Sequence, residues 1–149
     1  MKSLAFILIS GLMALNPACA QKVDDITRIT LTKQSRGYFD EVVISRDSVR
    51  GSIENHRSPQ NSRNYAVKID EEDWAKVVMT LNDLSLKDID GLQSPTMERA
   101  RDAALHSSIV IAFKDGTTVS HSFDDENPHR DLKPLLEAIN QLRVPDVRK

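Results

Sequence analysis

Residues Ile26–Ile53 read ITRITLTKQSRGYFDEVVISRDSVRGSI, and their period of two decides the fold. Ile29 and Leu31 fall on one side of an extended chain and Thr30 and Thr32 on the other, the pattern of a half-buried strand over 26–34. Ser35-Arg36-Gly37 supplies a turn in which glycine is free to take positive φ. Tyr38–Ser45 is rich in aromatic and β-branched residues and predicts a second strand. Arg46-Asp47 links it tightly to a third at Ser48–Ile53. Three strands joined this closely form an antiparallel meander, because parallel neighbours need a crossover of a dozen or more residues.

Outward from the meander, Glu54–Arg63 is wholly polar with one proline and reads as a surface loop. Tyr65, Val67 and Ile69 alternate with Ala66 and Lys68, giving a fourth short strand. Asp70 is placed as a helix N-cap, followed by Glu71, Glu72 and Asp73 where the helix dipole favours negative charge. Trp74, Val77, Val78, Leu81 and Leu84 recur at helical spacing, and Asp88, Asp90 and Gly91 end that pattern. Trp74 lies on the apolar face, so packing is its expected role. Ser94-Pro95 breaks structure, and 97–104 has helix-forming composition.

Leu105–Phe113 alternates again. Lys114-Asp115-Gly116-Thr117 predicts a hairpin with a type I′ turn, and Val119–Phe123 is the returning strand. Leu132, Leu135, Leu136, Ile139 and Leu142 define a last helix, with Pro134 tolerated in its first turn. Strands arrive in hairpins rather than alternating singly with helices. The expected fold is therefore α+β: a mainly antiparallel sheet of about six strands with two amphipathic helices on one face.

The chain opens with Lys2, an apolar run from Leu4 to Leu15, and Ala18-Cys19-Ala20. That is the layout of a secretory signal peptide over residues 1–20, cleaved before Gln21. The apolar run is shorter than the roughly 20 residues a membrane-spanning helix needs. The remaining 21–149 has the size of a single domain. Lys2 is the only charge in the leader, so this domain carries 19 basic against 22 acidic residues, net −3, with both signs interspersed. No cationic stripe is present, which disfavours nucleic acid and anionic membrane faces as partners. Cys19 is the only cysteine. Its removal leaves a chain that cannot form a disulfide, which points to a bacterial periplasmic or secreted protein. In the alternative reading Cys19 carries a lipid and anchors the protein to a membrane.

Catalytic and metal patterns are sparse. His121 and His129 flank Asp124, Asp125 and Glu126, but there is no His-Glu-x-x-His, no paired cysteine and no EF-hand spacing. Ser120 and His121 are strand neighbours and point to opposite faces, and no Gly-x-Ser-x-Gly elbow occurs. The expectation is therefore no catalytic residue, no metal site and no cofactor; a hydrolase using the His121–His129 region is the third-ranked reading. Two groups suit binding instead. Arg36, Gly37 and Tyr38 combine a cation and an aromatic at a turn, residue types favoured at interaction hot spots; a binding role there predicts that Arg36 and Tyr38 are exposed, and burial of both the Tyr38 and Phe39 rings would remove that surface. Arg99, Arg101 and Asp102 suit charge-assisted hydrogen bonds to a carboxylate or within a loop.

Ser35-Arg36-Gly37-Tyr38-Phe39 after a first strand, Asp102-Ala103-Ala104 before a hairpin, and Phe123-Asp124 followed by Asn127-Pro128 before a Leu-rich last helix resemble small exported proteins of Bacteroidetes-type bacteria that have no assigned function. More loosely, the layout is similar to emfourin, a small protein inhibitor of thermolysin-like metalloproteases. Emfourins carry two adjacent glycines at the first turn; here Arg36 takes one of those places. The leading expectation is an exported, non-enzymatic binding protein. The alternative that the second resemblance implies is an inhibitor whose partner is an exported metalloprotease.

Overall fold

The computed structural model describes residues 21–97 and 104–143. They form a six-stranded antiparallel sheet in the order β4-β3-β2-β1-β5-β6, built from β1 (Ile26–Ser35), β2 (Tyr38–Ser45), β3 (Ser48–Asn55), β4 (Arg63–Lys68), β5 (His106–Phe113) and β6 (Thr118–Asp124). Two α-helices, α1 (Glu71–Met79) and α2 (Lys133–Leu142), complete an α+β domain. Among the described residues no helix is long and apolar enough to cross a membrane.

Strand alternation sets the core. Ile29 pairs with Ile44 and Ile111, and Leu31 pairs with Val42 and Ile109, so the two rows stack across the central strands. Trp74, Val77 and Leu81 from α1 and its exit, and Leu135, Leu136 and Ile139 from α2, belong to the same apolar cluster. Residues of the opposite phase on β1–β4 stay exposed or half-exposed, as expected for a sheet with one wet side. A bulge between Ile26 and Arg28 resets the phase of β1, which lets both Ile26 and Ile29 be buried although they are three residues apart.

Two local expectations change. Asp70 caps α1 as expected, its Oδ1 accepting from Asp73 N–H at 2.9 Å, but the helix stops at Met79. Leu81 then packs from a turn, and Leu86 and Ile89 pack from a separate 3₁₀ turn, Leu86–Gly91. Apolar spacing at i, i+3, i+4 is met nearly as well by two short turns as by one helix. The β5–β6 turn is not type I′, because only Gly116 there has positive φ (84°). Instead Asp115 Oδ1 accepts from Thr117 N–H (2.9 Å) and Oγ1 (2.6 Å), and Gly116 alone supplies the left-handed residue of a longer turn. The polar stretch after β3 is the surface loop expected, ordered by Asn55 Oδ1, which accepts from Arg57 N–H and Ser58 N–H, each at 3.0 Å, and by a 3₁₀ turn at Pro59–Asn61.

Candidate functional site

Four of the connections meet at one end of the sheet. The β1–β2 turn, the β3–β4 connection, the segment entering β5 and the one leaving β6 all lie there, while the β2–β3 and β5–β6 turns and the exit of β4 toward α1 lie at the other end. Binding groups concentrate on such loops because a rigid scaffold can position them.

Gly37 adopts φ 78°, which a side chain would resist, and its carbonyl accepts from His56 N–H at 2.9 Å. This pins the Ser35–Tyr38 turn against the β3–β4 connection. Arg36 is exposed on it. Tyr38 is half-buried rather than exposed, and its hydroxyl donates to Asp40 Oδ2 at 3.2 Å. Phe39 points to the other side and is also half-buried. Arg99, Arg101 and Asp102 lie outside the described residues, as does Cys19. The chain on either side of 98–103 is anchored at this same end: Thr96 Oγ1 donates to Asp124 Oδ2, and Leu105 carbonyl accepts from Asp125 N–H at 3.0 Å.

Beneath the turn, the buried face changes character. The row after the two apolar ones runs Arg63, Ile53, Asp40, Lys33, Ser107, Phe123 across the sheet. Asp40, Lys33 and Ser107 are only 3%, 4% and 2% exposed. Isolated charges at such depth are costly, and each here has a partner. Arg143, at the end of α2, donates to Asp40 Oδ2 at 2.5 Å. Lys33 Nζ pairs with Glu126 from the segment after β6, and Ser107 Oγ donates to the Asp125 carbonyl. Burial opposes the charge on Arg143, but the Asp40 carboxylate outweighs it and holds the guanidinium above its ordinary value. The network thus ties β1 and β2 to the β6–α2 connection and to the end of α2. No sequence expectation included Lys33, Asp40 or Arg143, and Glu126 figured only among the acids between His121 and His129. Lys33 is in phase with Ile29 and Leu31, and Asp40 with Val42 and Ile44, so strand alternation alone places both charges inward.

The Lys33 ammonium holds Glu126 below its ordinary value near 4.5, its hydrogen bond outweighing partial burial. A carboxylate depressed in the folded state stabilises the fold above its unfolded pKa and loses that contribution as pH falls through the folded value. The stabilisation from this pair is therefore present above about pH 4.5 and is lost as the pH falls through the lower folded-state value. Urea midpoints for wild type and Glu126→Gln should differ at pH 7 and converge toward pH 3. Curves that stay parallel throughout would show that the pair contributes nothing.

At this end a shallow polar cavity of about 130 Å³ is lined by Thr32, Gln34, His106, Ser108 and Ser122 on the open face, together with Ser107, whose own side chain points to the buried face. His121 lies on the opposite side of the sheet, 2% exposed. Its Nε2 accepts from His129 N–H at 3.0 Å, and its ring stacks on Phe123 at 5.6 Å. That nitrogen is occupied in orienting the approach to α2. Among the described residues no group of three or more His, Cys, Asp or Glu is placed to hold a metal ion. No family model, curated protein or solved structure matches the chain.

Proposed function

We propose that the chain is an exported, non-enzymatic binding protein that presents the loop end of its sheet to a partner protein. In this reading α1 and α2 cover the buried face together, leaving the loop end free. The supporting observation is the charged row beneath the turn. Buried ion pairs add little net stability compared with apolar residues of the same volume. A chain selected for packing alone had no need to place Lys33 and Asp40 inward in place of another Ile or Leu. What the pairs do provide is a fixed position for the turn carrying Arg36 and for the segments around it, and pre-ordering of that kind lowers the entropy cost of binding.

The pinned turn also favours the second reading, inhibition of a thermolysin-like protease, since an exposed cation on a rigid hairpin tip suits insertion into a cleft. Titrating the purified protein into a thermolysin-type assay tests it. Slowing at micromolar concentration that weakens at least about tenfold in Arg36→Ala (roughly 1.4 kcal/mol) supports an inhibitor acting through this turn. With no slowing, the general binding reading is tested by cross-linking to envelope proteins. Capture must be lost in Arg36→Glu and kept in Asp115→Ala, which alters the opposite end. Equal capture by both variants overturns the loop end as the binding surface. Export itself predicts that the protein recovered from the envelope begins at Gln21.

A further inference from the structure

On the open face of the sheet, two rows of polar side chains cross β1, β5 and β6. Thr32 opposes Ser108, which opposes Ser122, and Gln34 opposes His106 one row nearer the loop end. Alternation turns all five to the same side, and together they line the cavity of about 130 Å³. Directly opposed Ser and Thr side chains in a sheet commonly bond one another. These do not: among the described residues the hydroxyls of Thr32, Ser108 and Ser122 and the Gln34 amide have no hydrogen-bond partner. By contrast Ser107 and Ser120, on the same two strands, bond the Asp125 carbonyl and the Asp90 carboxylate. Four unspent polar side chains therefore converge on one hollow.

What these groups can bond defines the ligand. A hydroxyl and a primary amide each donate and accept, so the wall suits a molecule whose own groups do both. An anion is opposed by two carboxylates on the same face: Glu41 lies opposite Thr32, and Asp124 opposite His106. A cation would need one of them at the wall, but neither lines the cavity, and Asp124 is 2% exposed with its Oδ2 accepting from Thr96 Oγ1. The lining holds no apolar side chain to receive a hydrocarbon. An uncharged, hydroxyl-rich molecule fits all three conditions. Phe39 sits opposite Gln34 on the same face and is half-buried, which sets a flat apolar ring beside the row, a surface the C–H face of a sugar can cover. Neighbouring strands lie about 4.8 Å apart, a spacing that alternate hydroxyls of one pyranose ring can bridge.

The geometry points to a saccharide site on this face. One sugar ring lies across β1, β5 and β6, its hydroxyls bonding Thr32, Gln34, Ser108 and Ser122, with a ring face toward Phe39. His106 lines the loop-end side of the cavity. A hollow this shallow covers only part of one ring, so the affinity is of millimolar order. The site goes beyond the protein partner proposed for the loop end and uses no residue of the turn that carries Arg36.

The test titrates the methyl glycosides of glucose, galactose, mannose and N-acetylglucosamine, one at a time, into isotope-labelled protein and follows the backbone amide shifts. At least one should give saturable shifts at Thr32, Ser108 and Ser122, with half-saturation on the order of 1–10 mM. Thr32→Val combined with Ser108→Ala nearly keeps the shape of the wall and removes two hydrogen bonds, so affinity should fall about tenfold. Should the double variant lose the wild-type spectrum, the single variant Ser122→Ala, at an exposed position, decides, with an expected loss of about threefold. No protein partner is needed, so the result does not depend on the reading of the turn. Absence of a saturable shift from all four glycosides up to about 100 mM means that the cavity holds only water, and overturns the inference. Half-saturation unchanged in the variants overturns it too. So does a saturable shift at the same amides from inorganic phosphate, which the flanking carboxylates should repel.

Discussion

Asp40→Ala will lower stability by about 2–3 kcal/mol, somewhat below the 3–5 kcal/mol typical of breaking a fully buried pair. The discount has a structural source: Asp40 is almost wholly enclosed, but the Arg143 side chain is 18% exposed and can turn partly toward water. Removing the carboxylate strands a guanidinium at the end of α2 and deprives the Tyr38 hydroxyl of its acceptor. The urea midpoint should fall with an unchanged slope, and Tm should fall on the order of 10 °C. Because the same carboxylate holds Tyr38, amide exchange should also accelerate through Gly37 and Tyr38. Lys33→Met is the informative contrast. It removes a buried cation whose partner, Glu126, is 61% exposed and can be hydrated, so its cost should stay within about 1 kcal/mol. Equal losses in the two variants would show that burial of the partner does not decide the outcome.

The second large effect comes from Gly51→Ala. Gly51 sits mid-strand in β3, opposite Tyr65 and Val42. A Cβ there would lie 2.1 Å from two carbons of the Tyr65 ring, so the ring occupies the space a side chain would need. The Tyr65 ring leans across the missing side chain, and its hydroxyl is buried with no hydrogen-bond partner among the described residues. Adding one methyl group must displace the ring or bend β3, at a cost of about 2–3 kcal/mol. In the double variant Gly51→Ala with Tyr65→Ala, much of the loss contributed by Gly51→Ala should disappear, because the two sites share one volume. An additive double variant would refute the packing explanation.

Gly51 also shows where a sequence reading stops. In the chain it is one small residue between Arg50 and Ser52, with nothing local to mark it. Only the β3–β4 register makes it the floor beneath an aromatic ring. Gly37 is the opposite case: its place between two strand patterns predicted a positive-φ turn, and it forms one. Lys33 and Asp40 fall between these cases. Their inward direction is readable from phase alone, yet the residues that neutralise them lie 93 and 103 positions away. The Arg36 turn was readable as a candidate surface, whereas the order of the Asn55–Ser62 loop that supports it was not. That order comes from an Asn side chain and a 3₁₀ turn too short to leave a periodic signal.

By itself, then, the order of residues determined the strands, the Asp70 cap, the last helix and the split between a wet and a dry side of the sheet. These follow from periodicities of two and 3.6 and from turn chemistry, all of which act over a few neighbours. The tertiary structure alone decided which charges meet, which glycine lies under a ring, and which hydroxyls share a cavity. Those outcomes depend on contacts between distant parts of the chain, whose pairing no local pattern encodes.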